Sequence, residues 1–215
     1  IQAVGPRNAL NRGADAASGA RVIDGSGLYV IPGLIDAHVH LSHILYQSQM
    51  TGDEVLPFYL GHGVTSIRST GDNVPAARMV ELFAKDRPDT SPNVFRGSFL
   101  IDGNPVWHPD VGWALTDAAD VEPFVADMAA WGVTTLKLYI GVEREIGRRV
   151  IEVGHEHGLV VSGHLRDYQT ADAVQDGLDC IEHIYTVSNF LLDDPDDRHS
   201  INLESDDARR LIDLI

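Results

Sequence analysis

Apolar and polar positions alternate along most of this chain in a pattern of short strands and longer helices. Apolar runs of strand length lie near 34–40, 64–69, 94–101, 133–140, 159–164 and 179–184. Patterns with a helical period lie near 52–61, 75–85, 118–131, 143–157, 169–177 and 205–215. Strands that alternate with helices predict a parallel sheet with helical crossovers. We therefore expect an α/β fold, a (β/α) barrel of the TIM type with about six units, where a closed barrel needs about eight.

The first part of the chain has a different pattern. Residues 1–5 and 21–24 have the composition of short strands, and a loop rich in Gly, Ala, Asn and Asp separates them. Gly25-Ser26-Gly27 predicts a turn into the apolar residues 28–31. The sequence thus predicts a small β element over residues 1–31 and a barrel domain over residues 32–215.

Composition narrows the classes of function. Of 215 residues, 44% are hydrophobic, which is enough for a sizeable core, and the net charge is −16. A strongly acidic chain is a poor ligand for nucleic acids and anionic membranes, so we expect neither as a partner. Cys180 is the single cysteine, which excludes a disulfide framework within the chain. No apolar run has the length of a membrane span and no signal peptide is recognisable, which favours the cytoplasm.

Four histidines and one lysine lie at or near the ends of the predicted strands. His38 and His40 are two residues apart, so both face the same side of the first strand. Lys137 lies in the most apolar strand, and its neighbours on either side are leucines, so it faces inward when they face the helices. His164 and His183 end the last two strands. The carboxyl ends of barrel strands form the active face, so we expect these five side chains to converge there.

Imidazoles bind divalent transition metals well, whereas an ammonium has no lone pair to offer. If carbon dioxide adds to Lys137, the resulting carbamate can bridge two cations about 3.5–4 Å apart. Alternatives remain for single residues, because a strand histidine is often a core residue and a buried lysine can bind substrate or form a Schiff base. The joint pattern favours a binuclear metal centre, with zinc as the expected metal.

Several segments together resemble a known family. Pro-Gly-Leu-Ile-Asp-Ala-His-Val-His resembles the first-strand signature of the amidohydrolase superfamily, nearest to its imidazolonepropionase-like and prolidase-like branch. Further resemblances lie at residues 22–30, 63–68, 136–138, 163–164 and 181–183. The resemblance implies that residues 1–31 are part of a small β-sandwich. It also implies that His38 and His40 bind the first metal, Lys137 bridges as a carbamate, and His164 and His183 bind the second.

The chain departs from the family in one respect. The resemblance implies an eighth strand with an aspartate that acts as general base, and we expect this aspartate to lie beyond the 215 residues. The acidic residues at 193, 194, 196 and 197 follow the sixth strand too closely and are interpreted as a solvated loop. We therefore interpret the chain as truncated at both ends.

Other polar residues are candidates for contact with substrate, each with a structural or solvated role as the favoured alternative. They are His43, Arg68, His108, Tyr139 and Tyr185. Arg68 ends the second strand, where it could pair with a substrate carboxylate.

The predicted function is hydrolysis of a C–N bond in a small amide, cyclic amide or dipeptide by metal-activated hydroxide. Two alternatives stay open: a mononuclear deaminase, which would not need Lys137, and a non-catalytic barrel scaffold. A homo-oligomer is compatible with the sequence. Whether this chain alone is active is left open.

Overall fold

The computed structural model describes residues 5, 23–42, 48–188, 191–192 and 200–214. Two compact units divide the chain, Ile1–Pro32 and Gly33–Ile215. The described part of the first unit contains the expected turn, in which the Leu28 amide donates to the Gly25 carbonyl at 2.9 Å. Residues 28–31 form no strand, and Tyr29 and Val30 are each 96% exposed. The predicted strands at residues 1–5 and 21–24 lie largely outside the described residues, so the small β element over residues 1–31 stays a prediction.

The second unit alternates strands with helices. The strands are β1 Leu34–Val39, β2 Val64–Ser69, β3 Asn93–Phe95, β4 Gly97–Asp102, β5 Gly112–Ala114, β6 Thr135–Leu138, β7 Val160–Gly163 and β8 Cys180–Ile181. The helices are α1 Gly52–Gly61, α2 Val74–Asp86, a 3-10 turn Ala118–Asp120, α3 Val121–Ala130, α4 Arg144–Glu156, α5 Thr170–Gln175, α6 Ile184–Ser188 and α7 Asp206–Leu214.

Every strand pair is parallel. One sheet has the order β1-β2-β3 and the other has the order β5-β4-β6-β7-β8. Only Arg96 separates β3 from β4, so the two sheets share one interrupted strand. The result is six parallel strand positions with helical crossovers, which confirms the predicted α/β class and a partial TIM barrel. The additional short strand β5 pairs with the second half of β4.

Local signals explain where the helices begin and end. The Asn73 side chain accepts a hydrogen bond from the Ala76 amide at 3.2 Å and caps α2. Gly132 and Gly158 follow α3 and α4 with φ of 72° and 69°, a conformation that only glycine adopts at little cost. Among the described helices none has both the length and the apolar character needed to cross a bilayer.

The main core lies between the second sheet and its helices. Leu136 and Leu138 are fully buried within it, whereas Lys137 between them faces the opposite side of the sheet. Gly154 of α4 lets the helix approach closely, since an added Cβ would lie 2.9 Å from Leu136 Cδ1. Packing on one face therefore fixes which side chains the other face presents.

Candidate metal centre

The five predicted ligands line one cavity at the carboxyl ends of the strands. His38 lies in β1 and His40 follows it, Lys137 lies in β6, and His164 and His183 come just after β7 and β8. The cavity has a volume of about 120 Å³. Its lining consists of His38, His40, Leu100, His108, Lys137, Tyr139, His164 and His183.

The four imidazoles are direct neighbours. The ring centroids of His38 and His40 are 5.3 Å apart, and those of His38 and His183 are 4.4 Å apart. His164 lies 4.7 Å from His183 by the same measure. Among the described residues, no three His, Cys, Asp or Glu side chains form a group arranged to hold a metal ion. The structure thus brings the predicted residues together, and their role as ligands stays a prediction.

Two of the histidines have their Nδ1 atoms engaged below the cavity. His40 Nδ1 donates to the Gly71 carbonyl at 2.7 Å, and His38 Nδ1 lies 2.8 Å from Glu182 Oε2. Because a carbonyl oxygen and an ionised carboxylate only accept, each Nδ1 carries the proton. In the neutral ring the lone pair then lies on Nε2. This pairing to a carboxylate or carbonyl is typical of metal-binding histidines.

Lys137 has an unusual environment for a lysine. Its side chain is 1% exposed, and its Nζ has no hydrogen-bond partner. Burial lowers the pKa of the Lys137 amine to about 8, and the charge of Glu182, 3.9 Å away, offsets only part of that effect. At pH 7 a minor fraction of the amine is then neutral, and this fraction is a nucleophile that can take up carbon dioxide.

Glu182 is a central residue that the sequence analysis missed. Its carboxylate contacts His38, lies near Lys137, and accepts a hydrogen bond from Arg68 Nη2 at 2.7 Å. Burial alone would raise the pKa of Glu182, but the hydrogen bond from His38 and the charges of Lys137 and Arg68 hold it at about 2. The only sequence signal was a carboxylate beside His183 at a buried strand end.

His164 and His183 are held in the neutral form. Burial, together with the nearby charges of His183 and Lys137, lowers the pKa of His164 to about 4. Burial and the charges of His38 and Lys137 also lower the pKa of His183. Neutral imidazole is the form that binds metals.

Aromatic residues surround these two imidazoles. The Tyr185 hydroxyl lies 2.9 Å from His164 Nε2, and its ring stacks on His183 with 5.2 Å between centroids. Tyr139 packs edge-on against His164, and His108 lies 5.6 Å from the Tyr139 ring. His108 and Tyr139 line the cavity, whereas Tyr185 contacts two of its imidazoles from outside the lining. Contact of any of the three with a substrate stays a prediction.

The remaining candidates have other positions. Arg68 is engaged by Glu182 and by the Ala37 carbonyl, to which its Nε donates at 2.9 Å. In this structure the Arg68 guanidinium pairs with a protein carboxylate, and a pairing of Arg68 with a substrate carboxylate stays a prediction. His43 and the acidic residues 193–197 lie outside the described residues.

Two buried aspartates organise the loops around the cavity, and the sequence analysis missed both. Asp102 accepts from the amides of Gly103, Trp107 and Gly141 at 2.8–2.9 Å, which joins the loops that carry His108 and Tyr139. Asp72 accepts from the amides of Leu41 and Ser42 at 2.8 and 2.7 Å, just after His40. Both contacts depend on residues far apart in the chain, so no local pattern indicates them.

The donor set fits divalent cations. Neutral imidazoles whose Nδ1 atoms are held by a carboxylate and a carbonyl are donors that divalent transition metals accept. The buried Lys137 amine, which has no hydrogen-bond partner, fits such a centre only in a modified form.

Known proteins similar to this chain in sequence include an adenine deaminase and a dihydroorotase. The adenine deaminase of Bacillus subtilis (strain 168) is 26% identical over 159 residues, which cover 71% of this chain and 26% of that enzyme. The dihydroorotase of Geobacter metallireducens is 33% identical over 171 residues, which cover 76% of this chain and 37% of that enzyme. The chain thus spans well under half the length of these relatives.

Solved structures show the same fold. Bottromycin amidohydrolase superposes with a TM-score of 0.60 at 26% identity, over 72% of this chain and 33% of that one. A Xaa-Pro dipeptidase superposes with a TM-score of 0.56 at 18% identity, over 72% of this chain and 48% of that one. The model of the amidohydrolase family matches residues 29–199, most of the barrel unit. The chain belongs to the amidohydrolase family.

Proposed function

We propose that the protein containing this chain is a metal-dependent hydrolase of C–N bonds, with a small amide, cyclic amide or dipeptide as substrate. The observation that carries the proposal is Lys137. Its Nζ is buried, has no hydrogen-bond partner, and belongs to a cavity lined by five histidines, four of which are the predicted ligands. A lysine is expensive to bury unless its amine is neutral or modified.

Lys137 is proposed to act as a carbamate. The neutral amine attacks carbon dioxide, an N–C bond forms as one C–O π bond breaks, and the nitrogen releases a proton to water. The product is an anion with two oxygens in place of an ammonium. It would bridge two divalent ions, most simply zinc, with His38 and His40 on one and His164 and His183 on the other.

The residues present would divide the remaining work. Bound divalent ions supply acidity, because they lower the pKa of water and polarise a carbonyl. His38 and His40 offer Nε2 because Glu182 and Gly71 hold their Nδ1 protons. Tyr139 lines the cavity beside His164, and Tyr185 packs on His164 and His183, so both would restrict the room for a substrate there. Asp72 and Asp102 are both engaged by backbone amides, so neither is assigned as the proton acceptor.

A deaminase is the second candidate, because the adenine deaminase of Bacillus subtilis is among the relatives.

The test of both candidates uses the full-length protein, loaded with zinc in the presence of bicarbonate. N-acyl amino acids, dipeptides and cyclic amides are assayed for hydrolysis, and adenine is assayed for ammonia release. Turnover of the first group supports the proposal, and ammonia from adenine alone supports the deaminase. Absence of zinc binding and of all turnover would contradict both, with Lys137→Ala as the inactive control.

A further inference from the structure

Two strands that do not pair approach each other across the cavity. β1 lies at one end of the first sheet and β8 at one end of the second, and no strand pairing joins them among the described strands. The His38 and His183 rings are nevertheless 4.4 Å apart. Side chains must therefore hold this geometry, because backbone hydrogen bonds do not.

Glu182 makes the connection. It follows β8 directly, its side chain is 6% exposed, and its Oε2 lies 2.8 Å from His38 Nδ1, 144 residues away in sequence. Its other oxygen accepts from Arg68 of β2 at 2.7 Å. Arg68 in turn donates to the Ala37 carbonyl, which precedes His38. One carboxylate thus joins three strands beneath the imidazoles.

We infer that Glu182 is the positioning residue of this centre: it fixes the His38 ring as the Nδ1-protonated tautomer and fastens β1 to β8, with Arg68 as its counter-ion. This inference rests on the proposed metal centre. A carboxylate behind a ligating histidine orients the ring and fixes the tautomer, and its loss typically costs about 10–100-fold in metal affinity.

The experiment compares four variants of the full-length protein. Glu182→Gln removes the charge but keeps an acceptor oxygen, and Glu182→Met removes both. The double variant Arg68→Met/Glu182→Met also removes the arginine, which would otherwise be left without its counter-ion. Glu81→Gln is the matched control, since Glu81 of α2 is a buried carboxylate that pairs with Arg96 and does not line the cavity. Circular dichroism selects the folded variants.

Two readouts separate positioning from general stability. Zinc affinity is measured by competition with a chromophoric chelator, and nitrogen-15 NMR reads the His38 tautomer in metal-free protein, assigned with His38→Gln. Both methionine variants should lose roughly 10–100-fold in affinity and the Nδ1-protonated pattern. Glu182→Gln should lose affinity by less, and Glu81→Gln should match the wild type.

Wild-type zinc affinity in Glu182→Gln, or in whichever methionine variant folds, would overturn the inference. A wild-type protein that binds no zinc would instead overturn the proposed function. The tautomer measurement would still decide between a positioning and a purely structural Glu182, because it needs no metal.

Discussion

Burial shifts the pKa of individual side chains in the cavity and so changes their protonation. Lys137 is the clearest case, because burial lowers the pKa of its amine to about 8 and the amine has no hydrogen-bond partner. Only the neutral amine reacts with carbon dioxide, so the reaction should weaken as pH falls through about 8. In the full-length protein with carbon-13 bicarbonate, we expect a carbamate NMR signal that decreases in this direction.

The control for this prediction is Lys137→Arg, which keeps a positive charge but cannot form the carbamate. Lys85, which is exposed and is the other lysine among these 215 residues, remains in both proteins as an internal reference. An equal carbamate signal in Lys137→Arg and wild type would contradict the assignment to Lys137.

The lowered pKa of His164 predicts that acid destabilises the folded protein. Its pKa is about 4 in the folded protein against an ordinary value of 6.5, so the fold favours the neutral ring. The stability associated with this difference is present above about pH 6.5 and is lost as pH falls toward about 4. Urea midpoints of metal-free full-length protein should therefore fall across this window, and less steeply in His164→Asn. Parallel pH dependence in the two proteins would contradict this reading.

The side of the sheet that each side chain faces could be predicted, because successive side chains along a strand point to opposite sides. That rule placed Lys137 opposite Leu136 and Leu138, and the structure agrees. The rule says nothing about partners across the barrel. Glu182 was therefore missed, since its importance depends on His38, 144 residues away.

At the scale of elements, the loops after the strands have fixed shapes because buried carboxylates bind their amides. Asp72, after β2, accepts from the amides of Leu41 and Ser42 and from the hydroxyls of Ser42 and Ser69. His40, the residue before Leu41, donates to the carbonyl of Gly71. The loop after β2 thus holds the end of β1 by both side chain and backbone.

Asp72→Ala should strongly destabilise this connection. Leaving a buried amide without its acceptor costs about 1–3 kcal/mol, and Asp72 serves two such amides. We expect a lower urea midpoint and lower zinc content, because His40 loses its support. Asp117→Ala is the control: its carboxylate caps an exposed 3-10 turn, and its loss should cost about 0.5–2 kcal/mol without any change in zinc content. A similar loss of zinc in both variants would count against a specific role for Asp72.

The bounds of helices and strands were predicted correctly where the pattern of apolar and polar residues extends over a whole element. The bounds of β2 and α1 agree with the predicted ranges. The third strand was predicted as one run, but it is interrupted at Arg96, whose side chain is buried against Glu81 at 2.6 Å. At Gly97 the chain passes so close to β2 that a Cβ would lie 2.7 Å from the Ser69 carbonyl oxygen. An ion pair between distant residues and a close backbone approach leave no periodic signal, and the three-residue β5 is too short to give one.

Over the whole barrel unit, the candidate ligands come from both sheets, with β1 in one sheet and β6, β7 and β8 in the other. His38 belongs to β1 and Lys137 to β6, whereas His164 and His183 follow β7 and β8. A binuclear metal centre held by these residues would connect strands that the backbone does not pair directly. The folded state would bind it and the unfolded chain would bind it only weakly. Metal binding should therefore be coupled to the stability of the entire unit.

Zinc should raise the unfolding temperature of the full-length protein, and a chelator should reverse the rise. A ligand at one hundred times its dissociation constant adds about 2.7 kcal/mol to the stability of the folded state. His164→Asn should reduce the rise because it removes a ligand from the cavity. His155→Asn should not, because His155 is exposed and pairs with Asp179 on the outer surface. Equal zinc-induced shifts in wild type and His164→Asn would show that zinc binds elsewhere on this acidic chain, and the metal centre would have to be abandoned.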